Sequence, residues 1–179
     1  MEHYFLRDIR ALRAMAKPAA KPKQGDTETA IELLQTLLAA EIVCVLRYTS
    51  LSVAPISLKY TSIGNEFQEQ ANDERRHMAL LAERIIELGG APNFDPAGLE
   101  SKGGAAYAPE PDVAEIVSNN LIAERAVIKL YRHLIRYFST YDHKTSRILK
   151  YILQDEENHI VDMHDLVVMN VSARTTSLH

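Results

Sequence analysis

The hydrophobic pattern divides the chain into four long segments in which core-type residues recur in alternating steps of three and four. This spacing places their side chains on one face of an α-helix, as in a helix that packs in a bundle. In the first two segments the stripes comprise Ile31, Leu34, Leu38, Glu41, Val45 and Tyr48, and Ile63, Phe67, Gln70, Glu74, His77, Leu81 and Ile85. In the last two they comprise Val113, Val117, Asn120, Glu124, Val127, Tyr131 and Ile135, and Leu149, Ile152, Glu156, His159, Met163 and Leu166. No period-two alternation of useful length appears, so the pattern predicts an all-α protein.

The turn-forming residues set the order in which these helices connect. We predict helices over about Asp26–Ala54, Ile56–Leu88, Asp112–Phe138 and Asp142–Asn170. Corners at Pro55 and at Ser139-Thr140 are short, and short connections make antiparallel neighbours. The stretch Gly89–Pro111 is rich in glycine, proline and alanine and is long enough to run the length of a bundle. The predicted fold is a ferritin-like four-helix bundle of two antiparallel hairpins joined by a long crossover.

Each predicted core stripe contains one glutamate near its middle, and two stripes add a histidine three residues later. The six residues are Glu41, Glu74, His77, Glu124, Glu156 and His159. Four buried carboxylates would repel one another strongly unless cations neutralised them. Two divalent cations balance four carboxylates, and one glutamate from each of two helices plus Glu-x-x-His from the other two is the di-iron or di-manganese carboxylate pattern. We therefore predict a two-metal site whose oxygen and imidazole ligands suit iron, manganese or zinc, and the ligand pattern alone does not rank these metals.

Several neighbouring residues leave choices open. Glu157 competes with Glu156, but only Glu156 has the spacing and the stripe phase of a core ligand. Arginines flank Glu74 and Glu124, so solvated ion pairs are an alternative for those two carboxylates. Tyr48 and Tyr131 follow core glutamates by two turns, where they either assist the site or simply fill the core.

Composition and charge narrow the functional classes. The 179 residues are 46% hydrophobic and 25% charged, which is ordinary for a soluble domain. Residues 1–25 carry six basic and two acidic residues, whereas the whole chain has a net charge of −4. We predict a basic N-terminal extension over 1–25 with a short amphipathic helix and a linker, a bundle over 26–170, and a C-terminal tail over 171–179. The single cysteine, Cys44, and the lack of a signal-type or membrane-spanning apolar run favour a cytoplasmic protein.

The motifs resemble the bacterioferritin and Dps-like branch of the ferritin superfamily. The segment EFQEQANDERRHMALLAERIIELGGAPN is similar to that family's second helix, and LQDEENHIVDM is similar to its fourth. The resemblance implies that the six residues are ferroxidase ligands, with Glu74 and Glu156 bridging the metals. It further implies that Glu41 and His77 complete the shell of one iron and that Glu124 and His159 complete the shell of the other.

The chain also departs from these families. Arg75 stands where bacterioferritins carry a haem-ligating methionine, so haem is not expected. No segment after Asn170 matches the fifth helix of 24-subunit ferritins. The combined resemblance to Dps proteins and bacterioferritins implies a 12-subunit shell, with a dimer or a 24-subunit shell as alternatives. The basic extension resembles Dps tails that bind DNA, whereas the paired Glu-x-x-His motifs resemble bacterioferritin.

The resulting functional hypothesis is a ferroxidase that oxidises Fe(II) with dioxygen or hydrogen peroxide for iron storage, detoxification and protection against oxidative stress. Glu69 and Asp73 are expected to line an acidic iron path. One alternative is a di-metal enzyme without storage, such as a manganese catalase or an oxygenase. Another is a Dps-like shell that binds DNA through its tail. A rubrerythrin is not favoured, because a rubredoxin-type centre needs four cysteines.

Overall fold

The computed structural model describes residues 26–54, 57, 59–95 and 113–176. Within them lie four helices, which we number in chain order: α1 (Thr27–Ser52), α2 (Thr61–Glu87), α3 (Val113–Phe138) and α4 (His143–Thr176). These ranges contain no β-strand. The all-α four-helix bundle expected from the sequence is therefore confirmed. The predicted amphipathic helix and linker of the N-terminal extension, most of the crossover, and residues 177–179 lie outside the described residues.

The helices pair in the order that the short corners predict. Arg75 of α2 donates to Thr49 of α1 at 3.0 Å, and Gln35, farther toward the N-terminus of α1, holds the chain beyond α2. The two helices therefore run antiparallel. Helices α3 and α4 form the second pair across a four-residue turn, and α2 contacts α4 between the pairs. The bundle core lies along the seam where the four stripes meet.

Polar caps fix the helix ends that orient this seam. Asp26 accepts hydrogen bonds from the Glu28 amide and the Thr29 hydroxyl, both at 3.2 Å, so α1 begins with a satisfied N-cap. Asp142 does the same for α4, accepting from the Thr145 amide at 3.0 Å. Its carboxylate also receives Arg84 from α2 at 3.0 Å, which ties the start of α4 to the end of the first hairpin.

Glycine is favoured at both positions after α2, for a different structural reason at each. Gly89 has φ +84°, a left-handed conformation that favours glycine after a helix. A Cβ on Gly90 would lie 2.9 Å from the Ile31 side chain, so only glycine fits there without a shift. The Gln35 amide donates to the Ala91 carbonyl at 2.7 Å and accepts from the Asn93 amide at 3.1 Å. The start of the crossover is thus fastened to α1.

Three predicted boundaries differ from the structure by more than one residue. Helix α1 stops at Ser52 rather than Ala54, where the Ser57 hydroxyl donates to the Leu51 carbonyl at 2.6 Å and satisfies the helix end. Helix α2 begins at Thr61 rather than Ile56, because its first helical hydrogen bonds are accepted by the Tyr60 carbonyl. Helix α4 continues to Thr176 rather than Asn170, and residues 171–176 contain neither proline nor glycine to stop it.

Helix α1 is more apolar than predicted, and the expectation that no apolar run reaches membrane-spanning length is wrong for this helix. It contains an 18-residue window that is long and apolar enough to cross a membrane by length and composition alone, and half of that window is buried inside the bundle. Leu34, Leu37 and Leu38 are fully buried against the other helices. A central core helix of a bundle has this same composition, and α1 packs as one.

Candidate metal centre

The structure brings the six predicted residues together in the middle of the bundle. Glu41 comes from α1, Glu74 and His77 from α2, Glu124 from α3, and Glu156 and His159 from α4. None of the six is more than 3% exposed. Each helix therefore turns a carboxylate into its core face, and the Glu-x-x-His spacing keeps each histidine on the face of its glutamate.

The side chains form two overlapping groups with metal-ligand spacing. The first group contains Glu41, Glu74, His77 and Glu156, and the second contains Glu74, Glu124, Glu156 and His159. Within each group, one nitrogen or oxygen atom from every residue lies within 4.8 Å of the others. Glu74 and Glu156 belong to both groups, so each of these two carboxylates lies between the two sets. Three members of each group come from one hairpin and the fourth comes from the other.

Both histidines turn the same ring nitrogen toward the carboxylates. Nδ1 of His77 lies 2.9 Å from Glu74 and 3.3 Å from Glu156. Nδ1 of His159 lies 3.7 Å from Glu74 and 3.8 Å from Glu156. The Nε2 atoms point away from the carboxylate cluster. This arrangement makes Nδ1 the nitrogen available to a metal and leaves Nε2 to hold the ring in place.

Two aspartates contact the outer nitrogens in a crossed arrangement. Asp155 of α4 lies 3.2 Å from Nε2 of His77 on α2, and Asp73 of α2 lies 3.3 Å from Nε2 of His159 on α4. Metal-binding histidines commonly donate their second ring N–H to such a carboxylate. The sequence prediction missed Asp155 and assigned Asp73 only to an iron path. The available signal was the motif Asp-Glu-x-x-His, which occurs at both Asp73 and Asp155.

Of the two tyrosines on the predicted core stripes, Tyr131 contacts a carboxylate of the site and Tyr48 contacts another aromatic ring. The Tyr131 hydroxyl donates a hydrogen bond to Glu41 Oε1. Tyr48 is fully buried and stacks on Phe67 with ring centroids 6.0 Å apart. Of the two roles left open from the sequence, Tyr131 thus assists a carboxylate of the centre, and Tyr48 contributes a ring contact to the core.

The remaining predicted neighbours lie outside the cluster. Glu157 is exposed and pairs with Arg132 at 2.6 Å, so Glu156 is the buried member of the adjacent pair. Glu69 is exposed. Arg75 contacts Asn72 and Thr49 on the outside of the first hairpin. The alternative in which Glu74 or Glu124 forms a solvated ion pair does not fit, because both carboxylates are buried.

Cys44 and Arg47 adjoin the centre on α1, and neither was assigned to the site from the sequence. Burial, with the nearby carboxylates Glu74 and Glu41, raises the pKa of the Cys44 thiol well above its usual value. Arg47 Nε donates to Asn120 at 2.7 Å. Burial lowers the pKa of Arg47, whose charge lies close enough to Glu124 to favour the ionised form of that carboxyl. A protonated thiol and a guanidinium thus adjoin the acidic cluster.

Electrostatics makes the metal-free cluster retain protons. Burial raises the pKa of Glu74 and of Glu124, and in both the Glu156 charge adds to the effect. Burial lowers the pKa of each histidine, but contacts with the carboxylates, led by Glu156, outweigh it and raise the pKa of both His77 and His159. Burial likewise raises the pKa of Glu156, but contacts with His159 and His77 outweigh it and lower that pKa. Protons therefore do part of the charge balancing that cations would otherwise do.

Several buried carboxylate oxygens of the cluster have no hydrogen-bond partner among the described residues, which bears on whether the cluster suits a metal. Oε2 of Glu41, Oε1 of Glu74 and Oε2 of Glu124 are buried and receive no hydrogen bond from the residues that the structure describes. Buried polar atoms without partners are costly, so native proteins keep few of them. Oxygen and imidazole ligands suit iron, manganese and zinc. The donor set and its unpaired oxygens fit two such cations.

The comparisons with known proteins agree with this architecture. The family model for the ferritin-like domain matches residues 31–169, so the chain belongs to the ferritin-like family. The DNA protection during starvation protein of Pyrococcus furiosus is 31% identical over 75% of this chain and 74% of its own length. The bacterioferritin of Streptomyces coelicolor is 28% identical over 76% of this chain and 78% of its own length.

Solved structures show the same fold. The dodecameric thioferritin of Bacteroides fragilis, a bacterioferritin-related protein, superposes with a TM-score of 0.71 at 24% identity, over 97% of this chain and 99% of its own. The Desulfovibrio desulfuricans bacterioferritin, described with a di-iron site, gives a TM-score of 0.68 at 24% identity, over 82% of each chain. The matched family and the sequence relatives confirm the predicted relationship to bacterioferritins and Dps proteins, and these structures agree with it in fold.

Proposed function

We propose that this protein is a ferroxidase, which binds two Fe(II) ions in the cluster and oxidises them with dioxygen or hydrogen peroxide. The observation that supports this proposal most directly is the pair of overlapping buried ligand groups that share Glu74 and Glu156. Shared carboxylates hold two cations close together, which suits a two-electron reaction. Similarity to bacterioferritins favours iron over the manganese and zinc alternatives.

In the proposed site each residue has a defined task. Glu41 and His77 would hold one ion, Glu124 and His159 would hold the other, and Glu74 and Glu156, which belong to both ligand groups, would be shared between them. Both histidines bind through Nδ1. Two Fe(II) ions would supply two electrons, which with two protons from solvent reduce dioxygen to hydrogen peroxide, or hydrogen peroxide to two water molecules, and both ions would become Fe(III). The apolar core around the cluster excludes water, and the Tyr131 hydroxyl fixes the orientation of Glu41.

The test is an anaerobic Fe(II) titration of the metal-free protein, followed by dioxygen or peroxide in parallel samples. We expect two ions per chain and rapid oxidation in the wild type. Glu156→Gln removes a shared carboxylate and should abolish the paired binding. Glu157→Gln is the matched control, because it alters the adjacent exposed glutamate. Wild-type protein without tight iron binding, or a Glu156→Gln variant that oxidises iron normally, would refute the ferroxidase proposal.

Storage is the second part of the proposal. We infer a cytoplasmic 12-subunit shell that accumulates oxidised iron, by analogy with the dodecamer described for the Bacteroides fragilis protein. Particle mass by light scattering, recorded during repeated iron additions, distinguishes this from a dimer or a 24-subunit shell. A dimer that oxidises iron but accumulates none would keep the enzyme and remove the storage role, leaving a di-metal oxidase.

A DNA-binding role is a second candidate function, favoured by the basic segment 1–25 and by the similarity to the Pyrococcus furiosus protein. Each cationic side chain that meets a phosphate releases counterions, so such binding weakens steeply with salt. Gel shifts would compare the full chain with a chain starting at Asp26 and with a full chain carrying Lys17, Lys21 and Lys23 as glutamine. Equal shifts for all three proteins would exclude DNA binding through this segment.

A further inference from the structure

A chain of ionic contacts runs along the outer rim of the cluster and passes through one arginine. Arg76 NH1 donates to Oδ1 of Asp73, whose other oxygen contacts His159. Arg76 NH2 lies 3.7 Å from Oδ2 of Asp155, the same oxygen that lies 3.2 Å from His77. One guanidinium therefore lies between the two aspartates that contact the two histidines.

The chemistry of arginine suits this position. A guanidinium is planar and presents separate N–H groups in a fixed fork, so it can hold two carboxylates at a set spacing. Asp73 and Arg76 lie on α2, and Asp155 lies on α4. The fork thus adds an ionic contact between the hairpins to the two crossed aspartate–histidine contacts. Tyr151 of α4, which is half exposed, also contacts the Arg76 side chain.

We propose that Arg76 is a positioning residue that links Asp73 to Asp155 and thereby fixes both histidine rings with Nδ1 facing the cluster. This inference rests on the proposed metal site. The linkage makes the orientation of His77 depend on the same group as the orientation of His159, so the two ligand groups are coupled at their outer edge as well as through the shared glutamates.

If Arg76 acted only as a positive charge, its removal would change the metal affinity in the opposite direction. Arg76 is a cation about half exposed, and as a mere positive charge it would repel an incoming metal ion. Its removal would then strengthen metal binding. At about 0.15 M salt the Debye length is about 8 Å, so that repulsion is partly screened. The direction of the change in affinity therefore separates linking from repulsion.

The experiment is a Co(II) titration of metal-free protein at about 0.15 M salt, with affinity and the visible spectrum of bound Co(II) recorded. Arg76→Gln removes the fork, and Arg76→Lys keeps the charge without the fork. Arg75→Gln is the matched control, because it removes the same charge from the adjacent residue, which contacts Asn72 and Thr49 instead. Melting temperatures of the metal-free proteins are measured in parallel.

We expect Arg76→Gln and Arg76→Lys to weaken Co(II) binding by about 3- to 10-fold, below the roughly 10–100-fold typical of a group that contacts the ligand itself. Both should alter the Co(II) spectrum, and Arg75→Gln should match the wild type. Unchanged or tighter binding in Arg76→Gln, full recovery in Arg76→Lys, or a change in melting temperature without a change in affinity would each overturn the proposal. Wild-type protein that binds no Co(II) would instead refute the metal site itself, and the inference with it.

Discussion

Replacing Glu124 with glutamine should stabilise the metal-free protein and destabilise the metal-bound protein relative to the wild type. Glu124 is 1% exposed, and its Oε2 receives no hydrogen bond from the described residues. Burial raises the pKa of this carboxyl, and the charges of Glu156 and Glu41 raise it further. A buried polar group without a partner costs about 1–3 kcal/mol. Glutamine keeps the shape, is permanently neutral and offers an N–H donor to Glu156, whereas the carboxyl must bind a proton before it can do the same.

The size of the effect follows from this cost. Relief of part of it should raise the free energy of unfolding of the metal-free protein by about 1–2 kcal/mol. For a chain of this length, about 1 kcal/mol shifts the melting temperature by about 2–4 °C, so the expected increase is about 2–8 °C. Zinc at about 100 times its dissociation constant should stabilise the wild type by about 2.7 kcal/mol. The variant lacks one ligand and should gain much less, so adding zinc should reverse the order of the two proteins.

The assay is thermal unfolding followed by circular dichroism, with chelator or with Zn(II), at one fixed chain concentration because assembly also affects stability. Glu157→Gln is the control, since an exposed substitution changes stability by about 0.5 kcal/mol or less. It should retain the full zinc response. The proposed origin of the effect is wrong if metal-free Glu124→Gln melts below the wild type, or if zinc raises both melting temperatures equally.

Three further predictions concern the same centre. The pKa values of Glu74, Glu124, His77 and His159 are raised, so the metal-free cluster keeps these protons to higher pH than free side chains would. The protons must leave when metal binds, so Zn(II) affinity should rise with pH. Titration calorimetry in buffers of different ionisation enthalpy should detect the released protons, and a binding heat that does not depend on the buffer would contradict this. Asp155→Asn should weaken Co(II) binding by about 10–100-fold, because the Asp155 carboxylate contacts His77. Glu157→Gln, a substitution of an exposed residue, should leave the Co(II) affinity unchanged. Equal affinities of the two variants would show that the Asp155–His77 contact does not contribute to metal binding. Tyr131→Phe removes the hydrogen-bond donor to Glu41 and should weaken Co(II) binding at the ligand group that contains Glu41 by about 10-fold. Tyr137→Phe, on the same helix but outside the cluster, is the control. An unchanged Co(II) titration of Tyr131→Phe would assign Tyr131 to packing alone.

The fold could be predicted because local pattern and global packing agree along most of the chain. Stripes such as Leu34, Leu38 and Glu41 are buried where the alternating spacing puts them. The convergence of the six site residues followed from their middle positions on antiparallel helices. Their role as metal ligands stays a prediction. Glu41 was informative because burying a carboxylate within a strongly apolar helix is costly unless a cation or a hydrogen-bond donor compensates its charge.

Contacts that depend on how helices are rotated against each other could not be predicted. Asp155 precedes a core residue and would ordinarily face solvent, so its contact with His77 depends on the packing angle of α2 against α4. The bridging position of Arg76 has the same origin. The end of α1 could not be predicted either, because the Ser57 hydroxyl that satisfies it belongs to the following corner. Sequence periodicity describes one helix at a time, whereas these contacts join two segments.

Because each ligand group is divided between the two hairpins, metal binding by the cluster depends on how the hairpins pack together. Three donors of each group come from one hairpin, and the fourth donor and the histidine's aspartate come from the other. Neither hairpin can complete a ligand group alone, so metal binding requires both hairpins in contact, as an interface site requires both subunits of a dimer. Any lesion that loosens their association, even far from the centre, should therefore appear first as lost metal occupancy while the helical content remains unchanged.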